Sequence, residues 1–282
     1  MAYVQWSSRF ELGVPFIDAD HKVLVGLLNR MHDASRASGD LTDLGGILSA
    51  LVDYTRYHFA REERAQDSAG YPDVDEHREQ HARLAIEARR LFEAYRRDPG
   101  GIDIGDLLDF LSDWLMDHIL LHDMAIKPYL LANLEAVTAA EGVDFATLMN
   151  DSNDLSKVVW SELAVLAIED SRPFAHVLKA ILEVIGVREI AVAENIDEGL
   201  RLAQERKYDL ILADWRMMNG GDGLDFVHKA RAKGVMVPVV MLTGYVDESL
   251  EAAREGLAIS EWLQKPVTSA ELMACIARNV AA

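Results

Sequence analysis

HFAREERAQDSAGYPDVDEHREQH, residues 58–81, reads as two histidine-bearing helical segments joined by a Gly70-Tyr71-Pro72 turn. Residues at i and i+4 on a helix lie one turn apart on the same face. His58 and Glu62 therefore point to one side of the first segment, and His77 and His81 to one side of the second. Folded back as antiparallel neighbours, the two segments bring three imidazoles and a carboxylate together. A single HxxxE or HxxxH arises easily by chance on a solvated helix. Two such pairs across one turn, with further histidines upstream and downstream, point instead to a metal.

Upstream, Trp6, Phe10, Pro15 and Phe16 form an irregular aromatic arm. Asp18 or Asp20 can then cap a helix through HKVLVGLLNRMHDAS, whose Val23, Leu24, Leu27, Leu28 and Met31 recur at helical spacing. His21 lies in its first turn. His32 lies in its last, where the helix dipole favours it, and reads as structural. Gly39 closes this helix, and Asp40 or Thr42 opens a second that reaches Ser68. A third starts near Asp73 or Asp75 and runs to about Tyr95, where Asp98-Pro99-Gly100-Gly101 breaks the chain. A fourth begins near Asp103 and carries Leu107, Leu108, Leu111, Trp114, Leu115 and His118. Four amphipathic helices with short connections predict an all-α, up-down-up-down four-helix bundle.

His118 and Asp123 pose a problem of phase. A five-residue step turns about 140° around an ideal helix, so the two do not share a face without distortion. Pro128 removes the backbone donor to Met124, which places a kink or local widening near residues 123–128 that would bring Asp123 inward. The inward set becomes His21, His58, Glu62, His77, His81, His118 and Asp123. Five imidazoles and two carboxylates exceed the needs of one zinc. They fit two octahedral first-row metals with bridging carboxylates and one position left for an exogenous ligand. Mixed N/O ligation suits iron, and manganese, copper and zinc pairs remain open.

Over residues 3–134, through IDADHK, HFAREE, HREQH and WLMDHILLHD, the chain resembles hemerythrin, and more closely bacteriohemerythrin. All seven ligand positions of that family occur at matching spacing. The resemblance implies two non-haem iron ions, oxo- or hydroxo-bridged and also bridged by Glu62 and Asp123. His77, His81 and His118 would hold one iron; His21 and His58 would hold the other, whose open position takes dioxygen. Leu24, Trp114 and Leu115 fall on positions that wall the family's oxygen pocket, and they serve equally as ordinary bundle core. His122 is extra to the family set and is expected at the surface.

The chain has 282 residues, half of them hydrophobic, enough for two cored domains. Its net charge of −19 argues against non-specific nucleic-acid binding. The one cysteine, Cys275, lies in an apolar helical pattern and excludes a disulfide framework. There is no basic-then-apolar leader and no apolar run of about 18 residues, so a cytoplasmic protein that neither enters a membrane nor binds nucleic acid is expected.

Residues 1–135 are assigned to the bundle and 136–161 to a helical linker, with Phe145, Leu148, Leu155, Val158 and Val159 at near-helical spacing. That linker either packs on one domain or serves as a coupling or dimer helix. From 162 to 282 short apolar strands (LAVLAI, EIAVA, DLILA, PVVML, EWLQK) alternate with helices, predicting an α/β fold with a doubly wound, five-stranded parallel sheet. Function in such sheets gathers at the strand C-termini. Those ends carry Glu169-Asp170, Asp214, Thr243 and Lys265, a set suited to Mg²⁺ and a phosphoryl group.

This half resembles the receiver domain of two-component response regulators. The resemblance implies Asp214 as phosphoacceptor, with Glu169, Asp170, Asp214 and the Arg216 carbonyl around Mg²⁺. Thr243 would be the switch hydroxyl, Lys265 the counter-ion and Trp262 the aromatic switch residue. Departures from the family pattern are Met218 where proline is usual, an Asp-Gly pair one residue late, Glu169 for Asp, and Trp262 for Tyr or Phe.

The sequence thus predicts a two-domain, non-enzymatic response regulator. It binds dioxygen or senses redox state at a di-iron site and is phosphorylated by a sensor histidine kinase. Output runs through a downstream protein or the bundle itself, with self-association through the linker or receiver as a further option. The alternative is oxygen storage or delivery, with the receiver serving localisation or regulation. A di-iron oxidase or peroxidase is disfavoured, because five histidines with two carboxylates make a less anionic site than oxygen-activating enzymes use.

Overall fold

In the computed structural model, residues 2–37, 41–139, 142, 155, 158–217, 221–244 and 259–280 are described. The chain divides into two compact units, Met1–Asp144 and Phe145–Ala282.

The first unit is a helical bundle built from α1 (Pro15–Ala37), α2 (Leu41–Ala69), α3 (Val74–Arg97) and α4 (Ile104–Asp117). Helix α1 begins earlier than a cap at Asp18 or Asp20 would place it, because Pro15 supplies a preset φ at the first helical position, where no N–H is needed. Asp18 serves the arm instead. Its carboxylate accepts from the backbone N–H of Leu12 (2.7 Å) and Gly13 (3.0 Å), and Gly13 sits at φ +83° to make that turn. Asp20, inside the helix, is buried. Asp103 caps α4 as expected, accepting from Asp106 N–H at 3.1 Å.

The chain then widens into a π-helix at His118–Asp123 before resuming as α5 (Met124–Ala132) and the short α6 (Leu134–Ala139). The distortion lies one turn earlier than Pro128 suggested; Pro128 itself sits inside α5. One extra residue in the turn resets the phase, so that His118, Ile119 and Asp123 are all buried while Leu121 is 63% exposed. Leu12, Val14, Phe16 and Ile17 of the arm and early α1 pack with Ala65, Ile126, Leu130 and Val137, closing one end of the bundle.

In the second unit a parallel sheet runs in the order β2-β1-β3-β4-β5. Its strands are β1 (Ala164–Ile168), β2 (Glu189–Ala193), β3 (Leu210–Asp214), β4 (Val239–Thr243) and β5 (Glu261–Gln264). Among the described residues four α-helices accompany the sheet, α7 (Arg172–Ile185), α8 (Ile196–Glu205), α9 (Gly223–Ala232) and α10 (Ser269–Val280), and a 3-10 turn at Trp160–Glu162 precedes β1. Every residue of β1, β3 and β4 is buried, whereas the edge strands β2 and β5 are partly open, as expected where helices cover both faces. Ser171, Asn195 and Asp222 cap α7, α8 and α9 through their side chains. Since β1, β3 and β4 are neighbours in register, their C-terminal residues meet at one edge. Most of the predicted linker, including Phe145 and Leu148, and Met218 lie outside the described residues. Among the described residues no helix is long and apolar enough to cross a membrane.

Candidate metal centre

The seven residues predicted to converge do so. They come from α1 (His21), α2 (His58, Glu62), α3 (His77, His81) and the π-helix (His118, Asp123), and all are buried. Their donor atoms fall into two overlapping groups: Glu62, His77, His81, His118 and Asp123 in one, and His21, His58, Glu62 and Asp123 in the other. The two carboxylates belong to both. Each spreads its oxygens across the divide. Glu62 places Oε1 3.0 Å from His77 Nε2 and Oε2 3.1 Å from His58 Nε2. Asp123 places Oδ1 3.1 Å from His118 Nε2 and Oδ2 3.2 Å from His21 Nε2.

The donor set fits cations. His81 Nε2 lies 3.0 Å from both His77 Nε2 and His118 Nε2, so three ring nitrogens crowd one point with no acceptor geometry that would satisfy them all. Both ring nitrogens of His21 and of His58, Oε2 of Glu62 and both Asp123 oxygens are buried without a hydrogen-bond partner among the described residues. Orphan atoms in such number cost several kcal/mol unless a cation takes them up.

Without metal, the protons distribute unevenly. Burial opposes charge on His58, but the Asp20 and Glu62 carboxylates outweigh it and lift its pKa to about 10. Burial, aided by the charge on His58, drops His21 to about 4. Burial likewise holds His118 well below its usual range. Glu62 is held low despite burial by the His58 and His77 imidazoles that face its two oxygens. Burial and the neighbouring Glu62 charge push Asp123 well up. Burial thus favours the neutral forms of His21, His118 and Asp123, while His58 and Glu62 keep the charged ones.

Several surrounding residues escaped the sequence reading. Gln66 donates from Nε2 to Glu62 Oε1 at 2.7 Å, and its spacing from Glu62 could have shown it. Phe59 stacks on His81 with centroids 3.7 Å apart. Glu63 Oε1 lies 2.8 Å from His81 Nδ1, and Asp20 faces His58 Nδ1 at 3.7 Å. Of the predicted pocket walls, Leu24 and Leu115 are buried, and Trp114 is half-buried with its ring parallel to His118 at 6.4 Å. His122 is half-buried and belongs to neither donor group.

A second, smaller cluster sits at the sheet edge. Donor oxygens of Glu169, Asp170 and Asp214 lie within 4.8 Å of one another. Lys265 Nζ reaches Glu169 Oε2 at 2.9 Å and Asp214 Oδ1 at 3.2 Å. Burial raises the Asp214 carboxyl, against the pull of Lys265. Thr243 ends β4 beside them, its carbonyl accepting from Lys265 N–H at 2.6 Å. Trp262 is half-buried on β5, and Arg216 is exposed just after β3. Three acids and a lysine form an oxygen-rich, partly neutralised niche of the kind a hard divalent cation takes.

Residues 12–130 match the family model of the hemerythrin HHE cation binding domain, and residues 165–277 that of the response regulator receiver domain. A bacteriohemerythrin of Stenotrophomonas maltophilia is 34% identical over 135 residues, which are 48% of this chain and 86% of that protein. A response regulator receiver protein of Anaeromyxobacter sp. is 41% identical over 104 residues, 36% of this chain and 42% of that protein. A solved structure of a Vibrio cholerae chemotaxis protein is 26% identical, with a TM-score of 0.40, covering 42% of this chain and 98% of that one.

Proposed function

Because this chain belongs to the hemerythrin family and carries a response regulator receiver domain, we propose that it is a response regulator coupling oxygen or redox state to phosphosignalling. The observation that carries this reading is the pair of donor groups sharing Glu62 and Asp123. In it His77, His81 and His118 would hold one iron and His21 and His58 the other, with Glu62 and Asp123 offering oxygens to both. When bound, the iron pair supplies the redox-active centre at which dioxygen is taken up and released. Leu24, Leu115, Trp114 and Phe59 shut bulk water out, which slows the loss of electrons to solvent-assisted oxidation. Gln66 holds Glu62 in place through its amide.

In the receiver, the Asp214 carboxylate attacks the phosphorus of a phosphohistidine donor. A P–O bond forms as the donor's P–N bond breaks, and the imidazole leaves with a proton from solvent. Glu169, Asp170, Asp214 and the Arg216 carbonyl would hold Mg²⁺, while Lys265 neutralises phosphoryl oxygens and the Thr243 hydroxyl turns toward them. A sensor histidine kinase is the proposed donor.

Two measurements test the whole. Anaerobic titration with Fe²⁺ is expected to load two ions per chain, with a visible spectrum that changes reversibly with oxygen; fewer than two would end the di-iron reading. Oxygen affinity measured with and without Mg²⁺ and beryllofluoride, a phosphoryl mimic, is expected to differ by about fivefold or more, the lower end of ordinary coupling. Identical affinities would remove the coupling and leave oxygen storage with a separately regulated receiver.

A further inference from the structure

The two halves of the metal centre are unequally provided: three imidazoles on one side and two on the other. The two-histidine side depends more heavily on how firmly each ring is held. Behind His58 lies a buried ion pair. Asp20, 1% exposed, accepts from Arg61 Nη1 at both oxygens (2.6 and 2.8 Å) and from the Tyr54 hydroxyl at 2.8 Å. Its Oδ2 stands 3.7 Å from His58 Nδ1, while Nε2 of the same ring faces Glu62. Arg61 is 7% exposed and its guanidinium lies over the rings of Phe16 (4.7 Å) and Tyr57 (5.0 Å).

The three-histidine side is backed differently. Glu63, at His81 Nδ1, is 27% exposed and is shared with Arg78 (3.7 Å), which also pairs with Asp67 and Asp75. Solvent weakens such a group and lets it move. Asp20, held from two other sides, cannot leave His58. A carboxylate behind a ligating imidazole fixes its tautomer and orientation and strengthens it as a donor. Arg61 makes this possible, since a buried carboxylate without its cation would be costly.

We propose that Asp20, locked by Arg61 and Tyr54, is the positioning residue for His58 and gives the two-histidine position the metal affinity it would otherwise lack. The inference rests on the two-iron reading above. Its test uses the full chain and Fe²⁺ or Co²⁺ titrated anaerobically, with melting curves of the metal-free proteins alongside. Asp20→Asn combined with Arg61→Gln removes both charges together and is expected to fold with a melting temperature near the parent's. It should hold one ion as tightly as before and the second at least tenfold more weakly, with loss of one paramagnetically shifted imidazole N–H signal in the Co²⁺ form. Tyr54→Phe, a milder change that keeps the charges, should weaken the same ion less. Glu63→Gln should leave that ion unaffected.

Two ions bound by the double variant with parental affinity would overturn the inference, as would equal weakening of both. A parent chain binding fewer than two ions would instead overturn the two-iron reading beneath it.

Discussion

Phe59 covers one face of His81 and sets its edge toward His118 and Trp114. It is both packing and a wall of the metal centre, so Phe59→Ala is expected to cost about 3–5 kcal/mol in chemical denaturation of the metal-free protein. A loss below about 1 kcal/mol would mean the site collapses around the gap. Cys275 is a simpler case. It is fully buried in α10, and burial with the nearby Glu261 pushes its thiol up. The thiolate is the reactive form, so native labelling by a disulfide reagent should stay slow and nearly flat between pH 8 and 9.5. Labelling in denaturant should be fast and rise with pH over the same range. A fast native reaction would show that α10 opens readily. The roles of Asp20, Arg61 and Glu63 were not legible in the sequence, because a charged residue beside a ligand histidine reads as solvated surface until the fold shows what faces it.

At the scale of elements, the π-helix His118–Asp123 is where sequence and structure disagree most usefully. The five-residue step told that regular helix could not serve, but not where it would yield. Pro128 suggested the later turn; burial of His118, Ile119 and Asp123 together settled the earlier one. Deleting Leu121, which is largely exposed, would let the segment close as regular α-helix, with His118 and Asp123 four residues apart on one face and α5 kept in phase. Ile126 and Leu130, fully buried, would stay inward, and stability of the metal-free protein should change by less than about 1 kcal/mol on denaturation. A drop of about 3 kcal/mol or more, as from swinging both side chains into water, would show that the π turn itself sets the phase of α5. In the second unit, a Cβ on Gly223 would stand 2.6 Å from the Asp214 carbonyl and also strike Met241. Gly223→Ala should therefore destabilise the receiver by about 1–3 kcal/mol and displace the backbone beside Asp214. The late Asp-Gly pair, a departure in the sequence, thus forms the cap and close approach of α9.

For the whole molecule, the two compact units predict two calorimetric transitions in the metal-free chain. Iron loading should raise chiefly the bundle's transition, since a ligand stabilises the unit that binds it, and Mg²⁺ with beryllofluoride chiefly the receiver's. One transition shifted equally by either ligand would show a single cooperative unit.

The sequence by itself determined both folds and picked out the side chains that converge in the bundle. Helical spacing puts His58, Glu62, His77 and His81 on inward faces, and parallel βα alternation delivers Glu169, Asp214 and Thr243 to one sheet edge whatever the details. Spacing encodes direction along one element. Tertiary structure alone decided what faces what across elements: that each carboxylate divides its oxygens between two histidine groups, that the helix widens at His118 rather than at Pro128, and that a buried Asp20–Arg61 pair stands behind His58. Those arrangements arise from packing between segments distant in the chain, where desolvation and phase, not local pattern, choose the outcome.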